Sequence, residues 1–138
     1  MAAARAGKRR KAEEKVDITQ LQFGEDFEGG EAMLNAEVKI IIDALNKTSG
    51  LEFDEMPDMM QNTSKYVDTF GQFQDTDSTK LCKDELMNMG LHTFEAASMG
   101  NLMPATADEA KRLIPSLSKY EDHDITEACA IVQRYRKT

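Results

Sequence analysis

The chain has 138 residues, 41% of them hydrophobic and 30% charged, with a formal net charge of −8. That length bounds it to one domain, or one domain and an arm, around a modest core. No apolar run approaches the ~18 residues of a membrane span, the basic N-terminus lacks the apolar stretch of a secretory signal, and Cys82 and Cys129, far apart in helical patterns, suit a reducing compartment better than a disulfide or metal site.

Residues 1–17 are mostly Ala, Gly, Lys, Arg and Glu with no apolar period and are expected to be a disordered basic tail. In residues 1–15 six cations face two carboxylates, a net of +4, which leaves −12 on residues 16–138. A body that acidic repels nucleic-acid phosphate and suits protein partners. Gly7-Lys8-Arg9-Arg10-Lys11 reads either as a nuclear localisation run or as a solvated tail. From Ile18 to Phe23 apolar and polar residues alternate, which predicts a short strand. No second strand is evident nearby, so its partner would come from another chain by strand addition. The alternative is an extended arm packed through Leu21 and Phe23.

After Gly29-Gly30 a helix is predicted over 31–46, with Leu34, Val38, Ile41 and Leu45 as one stripe. Met33, Ile40 and Ile42 widen the apolar surface beyond one face, so this helix should be buried on two sides, the second by a partner or by neighbouring helices. A loop follows over 47–55. The next helix, 57–70, starts on Pro57, which needs no N–H there, and carries Met59, Met60, Thr63, Tyr66, Val67 and Phe70, with Phe73 beyond. A third, 78–89, turns Leu81, Cys82, Leu86 and Met89 inward and stops at Gly90. A fourth, 93–102, is capped by Thr93 and packs Phe94, Ala97 and Leu102.

Thr106-Ala107-Asp108-Glu109 is a capping box, and a short helix over 107–113 lies between Pro104 and Pro115. The last helix, 124–135, presents Ile125, Ala128, Cys129, Val132 and Tyr135 on one face, with cations at its C-terminal end. The fold class is therefore all-α: an N-terminal arm, which can be a single strand added to a partner sheet, plus about six helices.

Candidates for chemistry are few. Glu121-Asp122-His123-Asp124 lacks the carboxylate spacing and turn glycine of a calcium loop and reads as a solvated connection. His92, beside a helix start, reads as a packing or surface residue. Gly29-Gly30 is no phosphate loop, since no Gly-Lys-Ser/Thr follows. Tyr66, Phe70 and Phe73 could stack on bases, but Asp68, Asp75 and Asp77 alongside favour a helix core. No catalytic residue, cofactor or metal ligand is expected.

The motif order resembles a known family. Leu91-His92-x-Phe94-Glu95, Asn101-Leu102-x-Pro104-x-Thr106, Glu109-Ala110 and Leu113-Ile114-Pro115-Ser116-Leu117 are similar to the family of the fourth subunit of eukaryotic RNA polymerase II, which includes an archaeal polymerase counterpart. A weaker match runs through Gln20-Leu21-x-Phe23, Phe27-Glu28 and Glu31-x-Met33-Leu34-Asn35-x-Glu37-Val38. The resemblance implies a nuclear, non-catalytic polymerase subunit that pairs with the seventh subunit to form a stalk, supporting initiation and transcript handling, with nucleic-acid contact indirect or weak. It implies a partner-binding arm with two helices over 18–75 and a domain like the helicase and RNase D C-terminal (HRDC) domain over 76–138. Leu21, Phe23, Phe27, Met33, Leu34, Val38, Ile41, Ile42 and Leu45 would then face the partner. Leu91, Phe94, Glu95, Asn101, Leu102, Pro104, Thr106, Glu109, Ile114, Pro115 and Leu117 would determine the fold. The resemblance weakens at Thr69, Gly71, Gln72 and Gln74, where the family often carries basic residues. The alternative from the residues alone is a free-standing helical adaptor, or a nucleic-acid-binding helical domain that uses its basic tail.

Overall fold

A computed structural model describes residues 15–137. Of the expected basic tail over 1–17, residues 1–14, with the localisation run, lie outside the described residues. The chain divides into two compact units, residues 1–30 and 31–138.

In the first unit the predicted strand is replaced by a local turn. Asp17 accepts from the Thr19 N–H at 3.0 Å and caps a 3-10 turn, Ile18–Gln20. Leu21 follows in the left-handed region at φ 57°. Asp17 and Gln22 then exchange two backbone bonds of 2.9 Å. The alternating pattern was misleading because Asp17 folds the backbone onto itself, which satisfies the groups that a strand would have left for a partner. A second 3-10 turn, Glu25–Phe27, follows Gly24, whose φ of 92° requires glycine.

The second unit is built from six helices among the described residues: α1 (Asn35–Ser49), α2 (Asp58–Phe70), α3 (Thr76–Asn88), α4 (Thr93–Leu102), α5 (Ala107–Leu113) and α6 (Asp122–Tyr135). The all-α expectation holds. α3, α4, α5 and α6 surround one core in which Cys82, Leu86, Ala96, Met99, Leu117, Ile125, Ala128 and Val132 are closed to solvent. α1 and α2 form a hairpin whose other buried residues are Ile42, Met56 and Val67. Lys39 and Asp68 join the two helices at 2.7 Å.

Helix ends follow side-chain chemistry. Asp75 accepts from the Ser78 N–H at 2.7 Å and starts α3 two residues before its predicted start. Thr106 accepts from the Glu109 N–H at 3.2 Å, as the capping box requires, but Glu109 reaches one residue further back, to the Ala105 N–H at 2.9 Å. α4 ends on Met103 at φ 45°, and Gln133 on α6 donates to the Met103 carbonyl at 2.8 Å. Pro115 opens a 3-10 turn, Pro115–Lys119, in the first helical position.

Four expectations need correction. Tyr66 and Phe70, expected in a helix core, are exposed on α2, and only Phe73 of the three is buried. Thr93 does not cap α4; His92 does, its Nδ1 accepting from the Phe94 N–H at 3.1 Å. Leu81 is exposed, because α3 is turned so that Thr79, Cys82, Lys83 and Leu86 face inward. Leu102, at the end of α4, is exposed as well. Hydrophobicity alone could not place Thr79 and Lys83 inside. Each is admitted by its bonds, the Thr79 hydroxyl donating to the Asp75 carbonyl at 2.8 Å.

Candidate functional site: an outward helix surface and the clamp beneath it

Along α1 the chain encloses Ala36 and Ile42, while Ile41 (46% exposed) and Leu45 (51%) face solvent, with Val38 half-buried one turn earlier. Spacings of three and four put Val38, Ile41 and Leu45 on one strip of the helix. A groove of 360 Å³ runs between α1 and α3, lined by Met33, Ile40 and Ile41 and bordered by Lys80, Lys83 and Asp84. Of the residues expected to face a partner, Met33, Ile41 and Leu45 are exposed and Leu34 and Ile42 are enclosed by the chain itself. In the first unit Phe27 is exposed, and Leu21 and Phe23 are half-buried.

Leu34 is 0% exposed because it precedes α1 in extended backbone, so the helical stripe drawn through it begins one residue too early. It packs on Gly100 of α4, where a Cβ would lie 2.3 Å from Leu34 Cδ2. Thr93 accepts from the Ala32 N–H at 2.7 Å, and Asn101 accepts from the Asn35 N–H at 2.9 Å. Glu37 accepts from the Leu34 N–H at 2.8 Å. Lys83, only 7% exposed, donates to the Ala32 carbonyl at 2.9 Å and to Glu37 at 3.0 Å, with Glu31 at 3.4 Å. One face of α4 and one α3 lysine thus hold the backbone just before α1. Sequence reasoning missed this clamp. Its traces were Asn101 and, in the weaker match, Glu31, Asn35 and Glu37, all picked out as family residues without a partner.

A second buried network ties α4 to the turn at Pro115. Glu95 is 0% exposed. It accepts from the His92 N–H at 3.0 Å, the Ser116 hydroxyl at 2.7 Å and the Tyr120 hydroxyl at 3.1 Å, with the Lys119 ammonium at 3.5 Å. Glu95 and Ser116, two separate pieces of the sequence signature, are therefore one contact. Leu91, Pro104, Ile114 and Leu117 are buried, Phe94 and Asn101 half-buried, and Thr106, Glu109 and Pro115 exposed at helix ends.

Burial, with the Glu95 charge adding, pushes the Tyr120 phenol from 10.0 up to about 12. Burial, with Glu85 adding and Arg134 opposing, pushes the Cys82 thiol from 9.0 up to about 12. In both the folded state favours the neutral form. Stability is then whole below about pH 9 and is lost as pH rises toward 12, because the unfolded chain ionises first. Urea midpoints taken across this range should show that fall, and Tyr120→Phe should make it shallower above pH 10. An equal slope in the variant would show that the phenol does not contribute.

Among the described residues no group of three or more His, Cys, Asp or Glu side chains is arranged to hold a metal ion, and no helix is long and apolar enough to cross a membrane. Asp122 of the acidic run accepts from Lys111 at 2.7 Å, and His123 lies 3.7 Å from Glu127.

The class these features define is a small all-α domain whose candidate site is an outward apolar helix surface. The sequence pattern of the family described as RNA polymerase Rpb4 matches residues 32–136. The chain belongs to that family. It is 31% identical to the DNA-directed RNA polymerase II subunit rpb4 of Dictyostelium discoideum, over 94% of this chain and 95% of that one. It is 34% identical to the subunit of the same name in Schizosaccharomyces pombe, over 79% and 83%. To DNA-directed RNA polymerase II subunit 4 of Arabidopsis thaliana it is 27% identical, over 81% and 85%.

Proposed function

We propose that this chain is a non-catalytic subunit of nuclear DNA-directed RNA polymerase II. It pairs there with the seventh subunit to form the stalk and supports initiation and transcript handling. Family membership and relatives named as polymerase II subunits support the first part. The observation that carries the pairing is the outward strip of Ile41 and Leu45, beside the groove lined by Met33 and Ile40. Apolar side chains aligned on a helix lose water contact only against another surface. In this reading Leu21, Phe23 and Phe27 add contacts, residues 18–75 serve the partner, and 76–138 form the HRDC-like domain. Leu34 and Ile42 support the surface from inside.

The test is size-exclusion chromatography and calorimetry with the purified seventh subunit. The unaltered chain should give a one-to-one complex. Ile41→Asp or Leu45→Asp places a charge in a desolvated contact and should weaken pairing at least ~30-fold, about 2 kcal/mol. Leu113→Asp, at an exposed position on α5, should pair normally. If the two α1 variants pair as well as the Leu113 control, the surface is misassigned. If the unaltered chain does not pair, the stalk reading fails.

A further inference from the structure

The start of α1 is set only in part by α1 itself, through Glu37, which takes the Leu34 N–H at 2.8 Å. Its N-cap residue, Leu34, has no side-chain oxygen to offer the first turn, and the helix is too short to hold its direction by propensity alone. The backbone donors around that start are answered mostly from elsewhere. Thr93 takes the Ala32 N–H, Asn101 takes the Asn35 N–H, and Lys83 holds the Ala32 carbonyl. Gly100 and Asn101 lie seven and eight residues beyond Thr93 along α4, which at 3.6 residues per turn keeps the three within an arc of about 100°.

We propose that Thr93, Asn101 and Lys83 are positioning residues for partner binding: they fix where α1 begins and how it points, and thereby where Ile41 and Leu45 meet the partner. The inference rests on the stalk reading and extends it inward. Ile41 lies six residues beyond Asn35, about 9 Å along the helix at 1.5 Å per residue, so Thr93 and Asn101 act through α1, while Lys83 also borders the groove beside Ile41. Releasing them lets the first turn fray. The binding-competent arrangement is then populated only part of the time, and apparent affinity drops by that fraction.

The experiment measures affinity for the seventh subunit by calorimetry and amide hydrogen exchange in the free chain. Thr93→Val and Asn101→Leu remove the acceptors with little change in size. Each should weaken pairing ~10-fold and speed exchange at Ala32 and Asn35, while exchange at Ile125 and Val132 in α6 stays slow. Thr93→Ser and Asn101→Asp keep an acceptor, and the aspartate adds charge favourable to a helix start. Both should restore affinity and protection, which a general loss of stability would not predict. In the unaltered chain, bound partner should slow exchange at Ala32 and Asn35, because coupling is reciprocal. This arm stands even where a variant folds poorly. Pairing by the unaltered chain together with undiminished affinity in Thr93→Val and Asn101→Leu overturns this inference alone. Unchanged exchange at the two amides on binding also overturns it. Failure of the unaltered chain to pair overturns both it and the stalk reading.

Discussion

Replacing Glu95 by alanine is expected to cost about 4 kcal/mol of folding stability. The carboxylate is fully enclosed and accepts three hydrogen bonds, from the His92 N–H, the Ser116 hydroxyl and the Tyr120 hydroxyl, with an ammonium nearby. A hydrogen bond to a charged group contributes about 1.5–3 kcal/mol net, and a stranded buried donor costs about 1–3. Against this, alanine relieves the cost of burying a carboxylate, which a single half-exposed lysine offsets only in part. The hydrogen bonds outweigh that relief because Ser116 stays buried and loses its acceptor. For a chain of this size the loss corresponds to a fall of about 12 °C in Tm. Glu95→Gln keeps one acceptor oxygen and both hydroxyls can rotate to meet the amide, so its cost should be about half. A loss below about 1 kcal/mol in Glu95→Ala, measured by urea unfolding, would mean that the network contributes little.

The contact between Leu34 and Gly100 should show the opposite of what helix propensity predicts. Gly→Ala inside a helix ordinarily adds about 1 kcal/mol of stability. At position 100 the new Cβ would sit 2.3 Å from Leu34 Cδ2, and Leu34 is wholly enclosed. Overpacking of that kind costs about 1–3 kcal/mol, so Gly100→Ala should destabilise by about 1. Leu34→Ala should cost about 3, the usual range for a buried leucine being about 2–5. Combined, they should not add. Leu34→Ala empties the space that the methyl added by Gly100→Ala enters, and the double variant should be at least 1 kcal/mol more stable than the sum predicts. Additive losses would mean the two side chains do not share that space.

The contact between Leu34 and Gly100, with the lysine clamp, ties the start of α1 to α3 and α4. A partner held on Ile41 and Leu45 would be held through that clamp. Charge substitutions on the α1 strip and acceptor substitutions on α4 should therefore both weaken pairing, but only the second should expose the Asn35 amide.

What the residues determined by themselves was local. Apolar repeats at helical spacing set the six helices, and capping chemistry put the bounds of α5 where they were expected, because both signals act within about one turn of the chain. Motif order was enough to indicate the family, since it needs no coordinates. What tertiary structure decided was which face of each helix turned inward. The α1 repeat showed that Leu34, Ile41 and Leu45 were alike, yet Leu34 is enclosed and the other two face solvent. Lys83 and Glu95 have the charge of surface residues and lie inside. Their places depend on Ala32, Glu37, Ser116 and Tyr120, up to 51 residues away along the chain. A buried charge is stable only where such partners converge, and that convergence exists only once the helices have packed.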